Sequence, residues 1–229
     1  MNSKTSIKNL TIIAMLNALA YLLMVWSRAL PPLVPFPPLR YDPKDIIIII
    51  GGFFYGPLTA TGMSIVVSLT EMITVSDTGV IGMVMNVVST YSFACTAAVI
   101  YKYGPKKKTL TGAVIGLVTG VIVMVATMML WNYMITPLYT KAAREDVAAM
   151  LIPVFLPFNL LKGSLNAAAT MLVYKPLSIT LRKLHMFPES GDSSDKNKKS
   201  GKINIGIILA SLFAVVTCVL LMLVFAKVI

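Results

Sequence analysis

The run IIIIIGGFFYGPLTA, residues 46–60, decides how this chain is folded. It opens a long apolar stretch, 46–76, with Gly56-Pro57 inside it. If that stretch crosses a membrane once, the cluster Lys102, Lys106, Lys107 and Lys108 falls on the opposite side from Lys4 and Lys8. If it crosses twice, turning at Tyr55-Gly56-Pro57, all of these lysines lie on one side, as the bias of basic residues toward the cytoplasm demands. Glycine and proline are also the ordinary residues of a turn. The reading is therefore two segments, about 45–55 and 58–75. The first rises only about 16 Å, so it must be tilted, shielded by neighbours or extended by the loop before it.

The rest of the chain fits the same layout. Of 229 residues, 57% are hydrophobic and only 13% charged, which leaves no soluble domain large enough to fold alone. A spanning helix needs about 20 apolar residues. Further spans are read at about 9–26, 79–101, 110–135, 151–175 and 203–226, with a proline-rich loop at 27–44 and another loop at 136–150. Residues 9–26 are a retained helix rather than a signal peptide, because no cleavage-like site follows. The net charge of +11 does not point to nucleic acid. Lys175, Arg182, Lys183, Lys196, Lys198, Lys199 and Lys202 join the earlier clusters on the cytoplasmic side with the N-terminus, where topology and lipid headgroups explain them. On the other side Arg28, Arg40, Lys44, Lys141 and Arg144 are balanced by Asp42, Asp45, Asp77, Glu145 and Asp146. The fold class is thus all-α integral membrane. Residues 1–185 form the membrane core, 186–202 a flexible polar linker, and 203–229 an additional C-terminal transmembrane helix that faces lipid.

Polar residues inside the spans carry the functional signal. Lys162 sits near a membrane centre, where a charge costs roughly 2.5–3.5 kcal/mol on insertion scales. Asn159 lies three residues before it, on the same helix face. Asn132, between Trp131 and Tyr133, and Asn86 can converge with them on one pocket open to the outside. Amide donors and acceptors, an ammonium and the aromatics Trp131, Tyr133 and Tyr41 suit a flat, neutral heteroaromatic ligand with hydroxyls. One lysine does not suit a phosphate-rich ligand. The alternative is an interhelical polar clamp, with Lys162 paired to Glu71 or snorkelling; Glu71 is equally a counter-ion, a ligand contact or a structural group. Small residues at a spacing of four form close-packing stripes. Gly112, Gly116 and Gly120 are read as packing within the protein. For Ala14 and Ala18, internal packing and docking to a separate subunit stay level.

No phosphate-cradling Gly-x-x-x-x-Gly-Lys-Ser/Thr loop is present. No His/Cys/carboxylate set fits a catalytic metal, and Cys95 and Cys218 have no metal-ligand spacing. Ser164 has no in-membrane histidine to serve as its base. The chain reads as neither an enzyme nor a protein with a catalytic cofactor.

Two strings, Pro-Pro-Leu-Arg-Tyr-Asp-Pro-Lys-Asp (37–45) and Gly-Gly-Phe-Phe-Tyr-Gly-Pro-Leu-Thr-Ala (51–60), resemble the substrate-binding S-components of energy-coupling factor (ECF) vitamin transporters. Trp131-Asn132-Tyr133 and Pro157-Phe158-Asn159-Leu160-Leu161-Lys162-Gly163 are similar to the riboflavin-specific members. The resemblance runs over about 8–184. It implies a six-helix S-component bundle in the plasma membrane of a prokaryote, and high-affinity capture of riboflavin from outside. It implies that Asn132, Asn159 and Lys162 contact the vitamin, that Leu39 and Tyr41 of the first loop lie near it, and that Asn86 matches a family asparagine. It further implies that Ala14 and Ala18 dock to a transmembrane coupling subunit working with two cytoplasmic ATPases. An S-component for another vitamin, or a channel or structural membrane subunit, are the competing readings. The segment 186–229 has no counterpart in the six-helix pattern.

Overall fold

A computed structural model of the chain describes residues 3–30, 32–34, 39–183 and 205–225. The linker read at 186–202 lies outside the described residues. The helices are α1 (Ser3–Arg28), α2 (Lys44–Tyr55), α3 (Pro57–Thr74), α4 (Gly79–Tyr103), α5 (Leu110–Thr140), α6 and α7 (Ile205–Phe225). Helix α6 joins Arg144–Met150, a π turn at Leu151–Phe155 and Leu156–Lys183 without a break. Pro153 lies in that π turn, where its missing N–H disturbs regular helix pairing. Among the described residues, four helices, over Ile7–Arg28, Gly79–Tyr103, Leu110–Thr140 and Arg144–Tyr174, are long and apolar enough to cross a membrane.

The predicted turn at Tyr55-Gly56-Pro57 forms. Gly56 has φ +106° and its N–H closes α2 on the carbonyl of Gly52 at 2.8 Å, while Pro57 opens α3. Positive φ at this position favours glycine. The shortness of α2 is resolved by shielding: α2 packs against α1, α3, α4 and α6, and Lys44 through Phe53 are all buried. A helix apolar on every side is stable only when enclosed. Below the isoleucines, Phe53 stacks on Tyr101 at 4.4 Å between ring centres and meets the edge of Tyr174 at 5.8 Å. The two tyrosine hydroxyls are 2.6 Å apart.

Two boundaries differ from the sequence reading. Helix α5 runs to Thr140 and α6 begins at Arg144, so little of the loop expected at 136–150 remains. Polarity ends an apolar run but does not end a helix. Thr140 bonds back to the carbonyl of Thr136 at 2.7 Å, and Glu145 and Asp146 sit in the first turn of the next helix, where acidic groups are favoured. Helix α7 packs along α6, burying Cys218 beside Leu165 with Val215, Leu33 and Tyr41 around them. The face away from α6 stays exposed, including Phe213, Leu220 and Val224.

The glycines of α5 are internal, as their reading expects. A methyl group at Gly116 would stand 2.7 Å from the carbonyl oxygen of Ala97, and one at Gly120 2.8 Å from that of Phe93. Both contacts are backbone of α4, which cannot swing aside. Gly116→Ala and Gly120→Ala should therefore each destabilise the detergent-purified protein by about 1–3 kcal/mol, read as a lowered thermal midpoint. Gly62→Ala, where nothing lies within 4 Å, should be neutral or slightly stabilising.

Candidate functional site

A cavity of about 160 Å³ opens at the end of the bundle where α1 and α3 finish and α4 and α6 begin. Helix α6 supplies Phe158, Asn159 and Lys162; α5 supplies Met128, Asn132 and Tyr139; α4 supplies Met85, Asn86 and Ser89. Leu39 and Tyr41 close one side from the α1–α2 loop. Helices α5 and α6, which gather these groups, approach closely at Gly163, where a methyl group would come within 2.8 Å of the Met124 side chain and 3.0 Å of that of Val121. All six ligand-contact residues expected from the sequence thus line one cavity. Ala14 and Ala18 lie on the exposed face of α1, away from it. Trp131 and Tyr133 do not line the cavity. They neighbour Asn132 in sequence, and successive helical residues diverge by about 100°; Tyr133 lies instead under Arg144, at 5.8 Å. The aromatic group that α5 does contribute is Tyr139, two turns beyond Asn132.

Each polar side chain keeps a defined part of its capacity. Asn159, 3% exposed, donates its amide to the carbonyl of Phe155 at 2.8 Å, which leaves its oxygen as an acceptor. Asn132, 2% exposed, accepts from Thr136 at 3.4 Å, which leaves its amide N–H groups as donors. Lys162 Nζ has Ser89 Oγ at 3.5 Å and the Asp45 carboxylate at 3.8 Å. Asn86 donates to Glu71 at 3.0 Å.

A buried ionic cluster forms part of the cavity wall, through Arg28, Asp42, Glu71 and Lys162, and extends behind it to Lys44 and Asp45. Lys44, fully buried, is paired with Asp42 and with Glu71, the latter at 2.7 Å. Arg28 holds the other oxygen of Glu71 at 2.6 Å and reaches Asp77 at 3.7 Å. Asp45 accepts from Thr90 at 2.6 Å and from Asn166 at 3.3 Å. Three buried carboxylates (Asp42, Asp45, Glu71) thus face three cations (Arg28, Lys44, Lys162), and at the mouth Arg40 and Asp77 add one charge of each sign. The structure settles the partner of Lys162: Asp45, not Glu71, which is taken by Lys44, Arg28 and Asn86. Asp42, Lys44 and Asp45, read from the sequence as balancing loop charges, are the interior of this cluster.

The loop is fastened to α6. Tyr41 donates to the Asn166 oxygen at 2.7 Å, and Asn166 donates to the carbonyl of Asp42 at 3.0 Å. Burial, reinforced by Asp45 and Asp42, raises the Tyr41 hydroxyl well above its ordinary range, so it remains a donor across neutral pH. Burial acts to raise the Asp42 carboxyl, but Lys44 and Lys162 outweigh it and hold it below the usual range. Asn166 lies seven residues beyond Asn159 on the same helix face, and nothing in the sequence marks its role in holding the loop.

The family model described as ECF transporter, substrate-specific component, matches residues 8–174. The riboflavin transporter RibU of Streptococcus thermophilus is 30% identical over 190 residues, covering 79% of this chain and 87% of its own length. The riboflavin transporter FmnP of Bacillus subtilis is 28% identical over 192 residues, covering 79% and 98%. A solved S component of a bacterial ECF transporter matches 77% of this chain and 99% of its own, at 28% identity and a TM-score of 0.65.

Removing one member of a buried ionic set leaves its partners uncompensated, at a cost of about 3–5 kcal/mol. Lys44→Met strands Asp42, leaves Glu71 with Arg28 as its one cation among the described residues, and should cost most of the folded protein recovered from membranes. Asp77→Asn, at the exposed edge, should leave yield and thermal midpoint unchanged.

Proposed function

This chain belongs to the substrate-specific components of ECF transporters, and from that premise we propose that it binds riboflavin and delivers it as the S-component of an ECF importer. It is a multi-pass membrane protein. The observation that carries the reading is the convergence of Asn132, Asn159 and Lys162 on one cavity, in a chain whose relatives over most of their length are riboflavin transporters. The cavity offers donors from Lys162 and Asn132 and an acceptor from Asn159. That set complements the acceptor–donor–acceptor edge of the flavin ring, whose central N–H lies between two carbonyls. The balance of charge around the cavity favours an uncharged ligand: Arg28 and Lys162 are paired with carboxylates, and Arg40 is engaged by the carbonyls of Arg28 and Leu30, so a buried phosphate would have to displace existing partners. Leu39 and Tyr41 cover the ligand from the loop, and Asn86 lies beside it.

In this reading the N-terminus is cytoplasmic and the cavity opens outward from a prokaryotic plasma membrane. Residues 1–185 form the six-helix binding core, 186–202 a linker and 203–229 an added helix. The protein acts without a catalytic cofactor. ATP hydrolysis belongs to two partner ATPases, reached through a transmembrane coupling subunit that docks on the exposed face of α1 at Ala14 and Ala18. Alternating access follows from reorientation of the whole small bundle in the membrane.

Protein purified from riboflavin-containing medium should be yellow, with flavin absorbance that denaturation releases. Lys162→Met and Asn159→Ala should each weaken riboflavin binding about tenfold or more, equivalent to about 1.4 kcal/mol. Undiminished affinity in both variants, or a colourless protein that binds another vitamin, would defeat the assignment. Separately, Ala18→Trp should abolish ATP-dependent uptake in cells containing the coupling subunits, while riboflavin binding by the isolated variant stays unchanged.

A further inference from the structure

The carboxylate of Asp45 does not line the cavity, yet three helices meet on it. It lies in the first turn of α2 and is 1% exposed. One of its oxygens accepts from Thr90 of α4 at 2.6 Å. The other faces Asn166 at 3.3 Å and the Lys162 ammonium at 3.8 Å, both on α6. We propose that Asp45 is a positioning residue for ligand binding: it holds the Lys162 ammonium aimed at the ligand without consuming its hydrogen bonds. The proposal rests on the reading of Lys162 as a riboflavin contact.

The distances support this division. At 3.8 Å the pair is held by charge rather than by a hydrogen bond, and the contact to Ser89 at 3.5 Å is long. The three N–H groups of the ammonium are therefore not committed to short protein bonds. Among the described residues, Asp45 is the one carboxylate within 4 Å of Lys162. Asp42 and Glu71 are engaged by Lys44, and Glu71 also by Arg28. Thr90 and Asn166 fix the carboxylate in turn. Without its charge, the buried ammonium loses its local counter-ion and is drawn toward Asp42, which removes a donor from the ligand.

The test is a double-mutant cycle on the full-length protein in detergent, read by quenching of riboflavin fluorescence. Asp45→Asn should weaken binding about tenfold. In a Lys162→Met background the same change should cost about twofold or less, because there is no ammonium left to position. Losses that simply add would mean that Asp45 acts through general structure and would overturn the proposal, as would wild-type affinity in Asp45→Asn. Normal binding in Lys162→Met would instead defeat the reading of the lysine itself, so the two failures are distinct. If Asp45→Asn does not fold, Thr90→Val, which loosens the carboxylate but keeps its charge, carries the test. It should weaken binding in the wild-type background and not in Lys162→Met, and equal losses in both would overturn the proposal.

Discussion

A carboxylate taken out of water must find a cation or give up its charge, and one end of this bundle is organised by that constraint. Asp42, Asp45 and Glu71 are all buried; Asp42 is met by Lys44 two residues on, and Glu71 and Asp45 by lysines or an arginine from distant parts of the chain. The pairs tie together the α1–α2 loop and helices α1, α2, α3 and α6. Neutral donors complete them: Thr90 and Asn166 on Asp45, and Asn86 on Glu71. The cavity is the space these groups leave open. Its polarity is therefore not an isolated lysine tolerated in lipid, but the rim of a compensated set. Such a set contributes less to stability than to holding each member in one place, because desolvation offsets much of the attraction.

The fold was largely legible in the sequence. The turn at Gly56-Pro57, the helical hairpin on either side of it and the internal packing of the α5 glycines follow from charge parity and residue size, and the structure contains all three. The helix ends were less legible. Apolar counting stops at the first polar residues, whereas α5 continues to Thr140 by hydrogen bonding. Of the site, the cavity-lining side chains were legible because polar groups within apolar spans are few. Their partners were not. Asp42, Lys44 and Asp45 stand between a proline-rich loop and an isoleucine run, and a string of three charged residues there reads as a solvated loop. Nothing local in the sequence says that Lys44 turns inward to Glu71, or that Asp45 meets a lysine more than a hundred residues away. Trp131 and Tyr133 misled for the opposite reason: adjacency in sequence was taken as adjacency in space on a helix that separates neighbours.

Close helix approach connects these two levels. Gly116 and Gly120 bring α5 against the backbone of α4, and Gly163 brings α6 against α5. Asn132 on α5, Asn159 on α6 and Asn86 on α4 line the same cavity in a bundle packed this closely.

The brevity of α2 has a consequence for passage through the membrane. Its 12 residues span about 18 Å, whereas the hydrocarbon layer is about 30 Å thick. One end of α2 is the ionic cluster and the other is the turn at Gly56, beside Lys102. The isoleucines and the Phe53–Tyr101–Tyr174 rings between those two ends form a dry layer thinner than the bilayer itself, and a bundle that reorients as a whole carries that thin layer across intact.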